Sequence, residues 1–289
     1  MKLTIVTPSY RNDLERCELL CRSVDRFASS ELGHVVVVDR RDVARFRHLA
    51  GPRREIVAVE DVLPRWILRA PLTRGWWLSL KTPPIRNWIL QQIVKLSIGE
   101  AIDAGGYVFV DSDVALVRPL MPGAFVRDGR LALFRVPARY AVADRWHRVS
   151  ARLLGLPETD FFGANYVGNL ITWRRDILRR LHRRIESATG MPWIRAVARQ
   201  VHFSEYTLYG LFVDHALDAD SGHFPDDRNL CDAIWNGPWG TAEDIQRLFL
   251  TLGPESVAVM ISSKIGVPAS RYSGSWDAFS SGIACVRMQ

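Results

Sequence analysis

The chain has 289 residues, 48% of them hydrophobic and 24% charged, and carries a formal net charge of +7. That is the composition of a soluble, well-cored protein, and no apolar run approaches the roughly 18 to 20 residues a membrane span needs. The positive excess is arginine, since Lys2, Lys81, Lys95 and Lys264 are the only lysines. It suits an anionic partner such as a nucleotide, a nucleic acid or an acidic lipid surface, but the arginines form no dense tract.

"KLTIVTPSY" (Lys2 to Tyr10) reads as a buried strand that ends in a Pro-Ser turn. "DLERCELLCRSVDRFA" (Asp13 to Ala28) has helical spacing, with Leu19, Leu20, Val24 and Phe27 on one face. "HVVVVDRRD" is a second strand ending at Asp39, and "EIVAVEDVLP" a third. Continuous apolar strands separated by a helix signify a mostly parallel sheet covered on both faces. Right-handed crossovers then put the strand C-termini on one rim, where open α/β sheets bind ligands. Thr7 to Arg11 and Asp39 belong to that rim.

Pro83 to Gly105 reads as a helix started by proline and stopped by glycine, leading into the strand "YVFV". Beyond it the pattern loosens. "RLALFRVP" is a strand, "WHRVSARLLGLP" a helix, and "DFFGANYVGNLITWRRDILRRLHRRI" a Gly-containing loop, a short strand and a basic helix. "FSEYTLYGLFVDHALD" is a helix, and the last 50 or so residues read as aromatic, Gly-rich and irregular. No linker appears, so a single continuous domain is expected over 1–289, with a nucleotide-binding-like half to about residue 120 and a half with fewer clean elements from about 121. Cys17, Cys21, Cys231 and Cys285 are too few and scattered for a zinc site or a disulfide framework, and are read as reduced thiols. The N-terminus has no signal-peptide core, so the expected location is cytoplasmic.

The strand "YVFV" runs straight into Asp111 and Asp113. Two carboxylates at the C-terminal rim of a sheet make an oxygen-ligand site for Mg²⁺ or Mn²⁺. The same spacing recurs at Asp218 and Asp220, but with no preceding strand, and is read as solvated. One class with this pattern is the haloacid-dehalogenase-type phosphatases, where the first Asp is a nucleophile and a D-x-D-x-T motif is usual. Here Ala115 stands at the threonine position, the motif falls late in the chain, and no lysine lies between Lys95 and Lys264. A basic nucleic-acid binder is the remaining alternative, without a recognisable binding motif.

The order of the parts, "TPSYRND", "VVVVD" and then "DSD", resembles the GT-A fold glycosyltransferases that use nucleotide-sugar donors. That resemblance implies a metal-dependent enzyme, in which Asp111 and Asp113 hold Mn²⁺ or Mg²⁺ against the diphosphate of a nucleoside diphosphate sugar. It implies donor contacts from Thr7, Pro8, Tyr10, Arg11, Asp39, Lys95, Asp111, Ser112 and Lys264, and from Asn165, Gly168 and Asn169 of the glycine loop. It further implies a general base at Glu205, with Asp214 as fallback, and a third metal ligand at His223. The usual Glu-Asp pair is here Glu205-Tyr206, which leaves the base open. The acceptor is expected to be a hydroxyl on a glycan, lipid-linked or small molecule, with Trp235 or Trp239 as a contact to it. No nucleic-acid partner is expected. The basic helix from Arg174 to Ala188 can either rest on an anionic membrane or pack Ile177, Leu178, Leu181 and Ile185 on the sheet.

Overall fold

The computed structural model describes residues 1–70, 75–217, 219–235 and 241–282. In chain order β1 (Leu3–Pro8) precedes α1 (Leu14–Phe27), β2 (Gly33–Val38), the single turn α2 (Val43–Phe46), β3 (Arg54–Ala58) and a second single turn α3 (Val59–Val62). The short strands β4 (Ile67–Arg69), β5 (Trp76–Ser79) and β6 (Ile85–Arg86) then lead to α4 (Asn87–Ala101) and β7 (Gly106–Phe109). There follow β8 (Val114–Leu116), β9 (Val126–Arg127), β10 (Arg130–Phe134), α5 (Ala141–Leu154), β11 (Ile171–Arg174), α6 (Arg175–Thr189), α7 (Trp193–Ala198) and α8 (Glu205–Leu211). The chain closes with β12 (His223–Asp226), β13 (Cys231–Ile234), α9 (Ala242–Leu250), β14 (Ala258–Ile261) and α10 (Ser270–Ser280).

The expected α/β class is what the chain adopts: a mostly parallel sheet flanked by helices. Five strands lie in the order β11-β7-β1-β2-β3, with β11 antiparallel to β7. β1 and β2 are buried along almost their whole length, as a central strand covered on both faces requires. Three smaller sheets are β12-β10-β9, β13-β14-β8 and β4-β5-β6. The irregular C-terminal region expected from sequence in fact supplies α9, α10 and the strand β14. β14 is only four residues long, yet all four are buried. Among the described residues no helix is long and apolar enough to cross a membrane.

The chain divides into two compact units, each assembled from separated segments. One comprises Met1–Thr4, Val57–Phe109 and Phe125–Asp227. Its core stacks Trp173 on Tyr209 and sets Phe109 edge-on to Trp173, ring centroids 4.9 and 4.5 Å apart. The basic helix α6 belongs here. Ile177, Leu178, Leu181 and Ile185 are buried, so its apolar face packs inward and is not available to a membrane. Its C-terminus is set by Gly190, whose left-handed φ of 66° closes the last turn at little cost.

The other unit comprises Ile5–Ile56, Val110–Ala124 and Arg228–Gln289. Here α1 lies along β8, where Ser23 accepts the Leu116 amide at 2.9 Å. Trp276 of α10 donates its indole N–H to the Leu116 carbonyl at 2.6 Å. Leu19, Val117, Phe249, Val259 and Trp276 share one apolar cluster around these bonds.

Candidate active site

Within this second unit, the chain leaves the Val110 amide on the Val6 carbonyl and turns sharply, the Val114 amide closing on the Asp111 carbonyl. The turn presents Asp111, Ser112 and Asp113. Asp113 is fixed from across the unit: its Oδ2 accepts the Ser263 amide at 2.9 Å, and its own carbonyl accepts the amide of Ile261. Ser263 opens the short turn Ser263–Ile265 that follows β14, so Lys264, exposed, stands one residue from the amide that holds Asp113.

A third carboxylate joins them. Asp13 ends the turn Arg11–Asp13 before α1, is 7% exposed, and feels the charge of Asp111. Arg16 donates to Asp13 at 3.1 Å and to the Val267 carbonyl at 2.6 Å. Burial raises the Asp13 carboxyl, with Arg16 opposing it. Burial and then the neighbouring Asp111 push Asp113 up to about 6, against the Ser263 amide. Tyr10, 41% exposed, has its phenol raised by burial and then by Asp13.

These carboxylates fit one class of metal and not another. Among the described residues no three His, Cys, Asp or Glu side chains converge on one metal position. A structural zinc, closed by four protein ligands, is therefore outside the donor set. A hard cation that takes one or two carboxylates and completes its shell with water and phosphate oxygens matches Asp111 and Asp113.

Several sequence-predicted residues do other work. Thr7 is fully buried and its hydroxyl pairs with His34 Nε2 at 3.1 Å, so it faces the neighbouring strand rather than a ligand. Pro8 closes β1 and is buried. Arg11 is salt-bridged to the buried Asp42 at 2.9 Å, and Asp39, just past β2, is paired with Arg41 at 3.3 Å. His34 is itself held neutral, its pKa lowered to about 3 by burial and then by Arg54.

The remaining predictions fall in the first unit. Lys95 is 5% exposed and contacts Glu205 at 3.1 Å, the Tyr206 hydroxyl at 2.8 Å and the Tyr206 ring. Glu205 follows the N-cap Ser204 as expected, but its carboxylate is held by a buried ammonium and not poised for a substrate proton. Lys95 is likewise a packing cation, not a phosphate contact. His223 has both ring nitrogens engaged, Nε2 with Tyr209 at 2.8 Å and Nδ1 with the Leu131 carbonyl at 3.0 Å. No lone pair is left for a metal, and burial lowers its pKa to about 4. Asn165 bridges Val136 and folds its amide back onto Val167. Gly168 is packed so close that an added Cβ would lie 2.9 Å from Phe134, while Asn169 is half-buried. Trp239 and Asp218 lie outside the described residues, and Trp235 is 48% exposed.

Asp214 is better placed. α8 ends in a π-turn, Phe212–Ala216, that turns Asp214 toward the Tyr166 hydroxyl at 2.7 Å and Arg135 at 3.4 Å. Burial and Asp214 push the Tyr166 phenol far above its ordinary range. Arg135, Gly163, Asp226 and Asp227 line a cavity of about 370 Å³ at the ends of the parallel strands β10 and β12. Sequence reasoning missed Asp13, Arg16, Tyr166 and Arg135. The one local signal was the three-residue spacing of Asp13 and Arg16 at a helix start, which puts an acid and a base on neighbouring turns.

No curated protein matches the chain. A crystal structure of the galactosyltransferase LgtC, solved in complex with donor and acceptor sugar analogues, is similar over 96% of this chain and 95% of its own. The TM-score is 0.47 and the sequence identity 12%, a likeness of a size that assigns no activity. Residues 1–264 match a family described only as one of unknown function, DUF6492, and the protein belongs to that family.

Proposed function

We propose that the protein is a metal-dependent glycosyltransferase of GT-A type, moving a sugar from a nucleoside diphosphate sugar to a hydroxyl acceptor. The observation that carries this reading is the turn after β7. It brings Asp111 and Asp113 out together, and the Ser263 amide fixes Asp113 in place beside an exposed lysine. Mn²⁺ or Mg²⁺ held by Asp111 and Asp113 would supply Lewis-acid stabilisation of the departing diphosphate.

The chain's own residues then have distinct tasks. Ser263 and Arg16 hold the carboxylates of Asp113 and Asp13 in fixed orientations, so no reorganisation is needed when a ligand arrives. Lys264 offers its ammonium to a phosphate, and the exposed ring of Tyr10 offers a face to a nucleoside base. In the transfer the bond from the anomeric carbon to the diphosphate oxygen breaks and one to the acceptor oxygen forms, while the acceptor hydroxyl gives up its proton. Asp214 is the better of the two expected bases. Its side chain is 15% exposed and shared by the Tyr166 phenol and the partly exposed Arg135, whereas that of Glu205 is 8% exposed and tied to a buried ammonium.

A thermal-shift series with uridine, guanosine, cytidine, adenosine and thymidine diphosphates, each with Mn²⁺ or with a chelator, tests the reading. Stabilisation by one nucleotide, only with metal and lost in Asp113→Ala, is the expected result. A shift that survives the chelator, or none with any nucleotide, would overturn it.

A further inference from the structure

Cys17 and Cys21 have no part in the site above, yet they are the most elaborately placed thiols among the described residues. Four residues apart on α1, they point from successive turns of one face into the cluster with Val36, Val38 and Phe46. Both are free thiols, not linked as a disulfide. Cys17 is fully buried, while Cys21 borders a cavity of about 690 Å³ between α1, the start of β3 and the start of α10. Beside it sits a buried guanidinium: Arg54 donates to the Cys21 carbonyl at 2.9 Å and to Asp25 at 2.6 Å.

We propose that Cys17 and Cys21 form an oxidisable dithiol, reached through this cavity and closed to a disulfide by hydrogen peroxide. Cys21 is the attacking sulfur, since it borders the cavity. The neighbouring Cys17 thiol and then the Arg54 charge lower its thiol against the burial that raises it. Its thiolate takes one oxygen of the peroxide, the O–O bond breaks, and one water leaves after protonation. Cys17 then attacks the sulfenic sulfur, a second water departs, and the two thiols have lost two electrons and two protons to the peroxide.

The helix sets the character of the bond. Side chains four apart on a helix hold their Cβ atoms about 5 to 6 Å apart, whereas a disulfide wants roughly 3.5 to 4.5 Å. Closure must tighten one turn of α1, and such a bond is easily reduced. The oxidised state is therefore reversible by a thiol reductant.

The test uses the wild-type protein with limiting hydrogen peroxide, followed by denaturation, alkylation and peptide mapping. Cys17 and Cys21 should disappear together into one cross-linked peptide, at least about tenfold faster than the buried Cys231, which has no second cysteine near it in the sequence, is lost. Cys17→Ser should stop at a sulfenic acid on Cys21, trapped by dimedone, and Cys21→Ala should spare Cys17. Equal loss of all three thiols would mean that peroxide acts on the unfolded chain, and would overturn the proposal. So would undiminished alkylation of Cys17 and Cys21, or a cross-link from either to any other cysteine.

Discussion

Replacing Glu205 with glutamine would remove the carboxylate 3.1 Å from the Lys95 ammonium while keeping nearly the same shape. Both side chains are less than a tenth exposed, so water does little to screen or replace the lost partner. Breaking a buried ion pair from one side costs about 3 to 5 kcal/mol, because the remaining charge stays desolvated. The Tyr206 hydroxyl and the face of its ring remain beside the ammonium, and a cation–π contact of this kind relieves up to about 2 kcal/mol. The expected loss is therefore about 3 kcal/mol, or roughly 5 °C in Tm for a chain of this size. Lys95→Met should cost a similar amount by stranding the carboxylate. The double variant should return to within about 1 kcal/mol of wild type, since two neutral side chains of similar volume need no mutual compensation. Urea unfolding of the four proteins completes the cycle. If Glu205→Gln unfolds like wild type, or if the two losses simply add, the pair is not what holds Glu205, and its assignment as a base reopens.

Asp113→Asn gives a pH signature of opposite sign. The folded state raises the Asp113 carboxyl from near 4 to about 6, so the native protein binds this proton more tightly than the unfolded chain, and stability is lost as pH rises through 6. In chelator the asparagine variant should be about 2 kcal/mol more stable than wild type at pH 7 and indistinguishable at pH 4, measured by urea unfolding. A gain that persists at pH 4 would contradict it. Arg16→Ala should destabilise by about 2 to 4 kcal/mol, since it leaves Asp13 buried and frees the Val267 carbonyl. Protease susceptibility should rise around Val267 first. Gly210→Ala places a methyl group in the Tyr166 ring and should cost at least about 2 kcal/mol, read by thermal melting.

The parts of the fold that were legible are those where one residue pattern has one solution. The valine run of β2 and the apolar β1 can only be covered strands, and α4 could only be a helix after Pro83. The sheet β4-β5-β6 was not legible, because strands of two to four residues are too short for alternation to register. α10 hid among glycine, serine and aromatic residues whose helical preference is weak and is overridden here by packing, whereas α9 is built of good helix formers behind a Thr241–Asp244 capping box and was there to be read. At the site, the exit of Asp111 and Asp113 from a strand was plain. What sequence alone misjudged was the partner of each neighbouring polar group. Alternation along β1 does not tell whether the Thr7 hydroxyl meets a ligand or His34. Nor does an α4 helical pattern tell whether Lys95 reaches a rim or an acid more than 100 residues away in sequence.

The π-turn at the end of α8 has a consequence for how this protein can change over time. In a regular helix Asp214 and His215 would be separated by about 100° on the helix surface, and every later residue would follow in step. The wider π-turn breaks that step, handing Asp214 to Tyr166 and Arg135 and His215 to the ring of Phe162, with centroids 5.1 Å apart. Such turns carry one residue more than the α-helix needs. A one-residue deletion here would restore a smooth helix and rotate Asp214 out of reach of both its partners, with no chemically active side chain altered. The acid at this position is thus specified by chain length as much as by residue type.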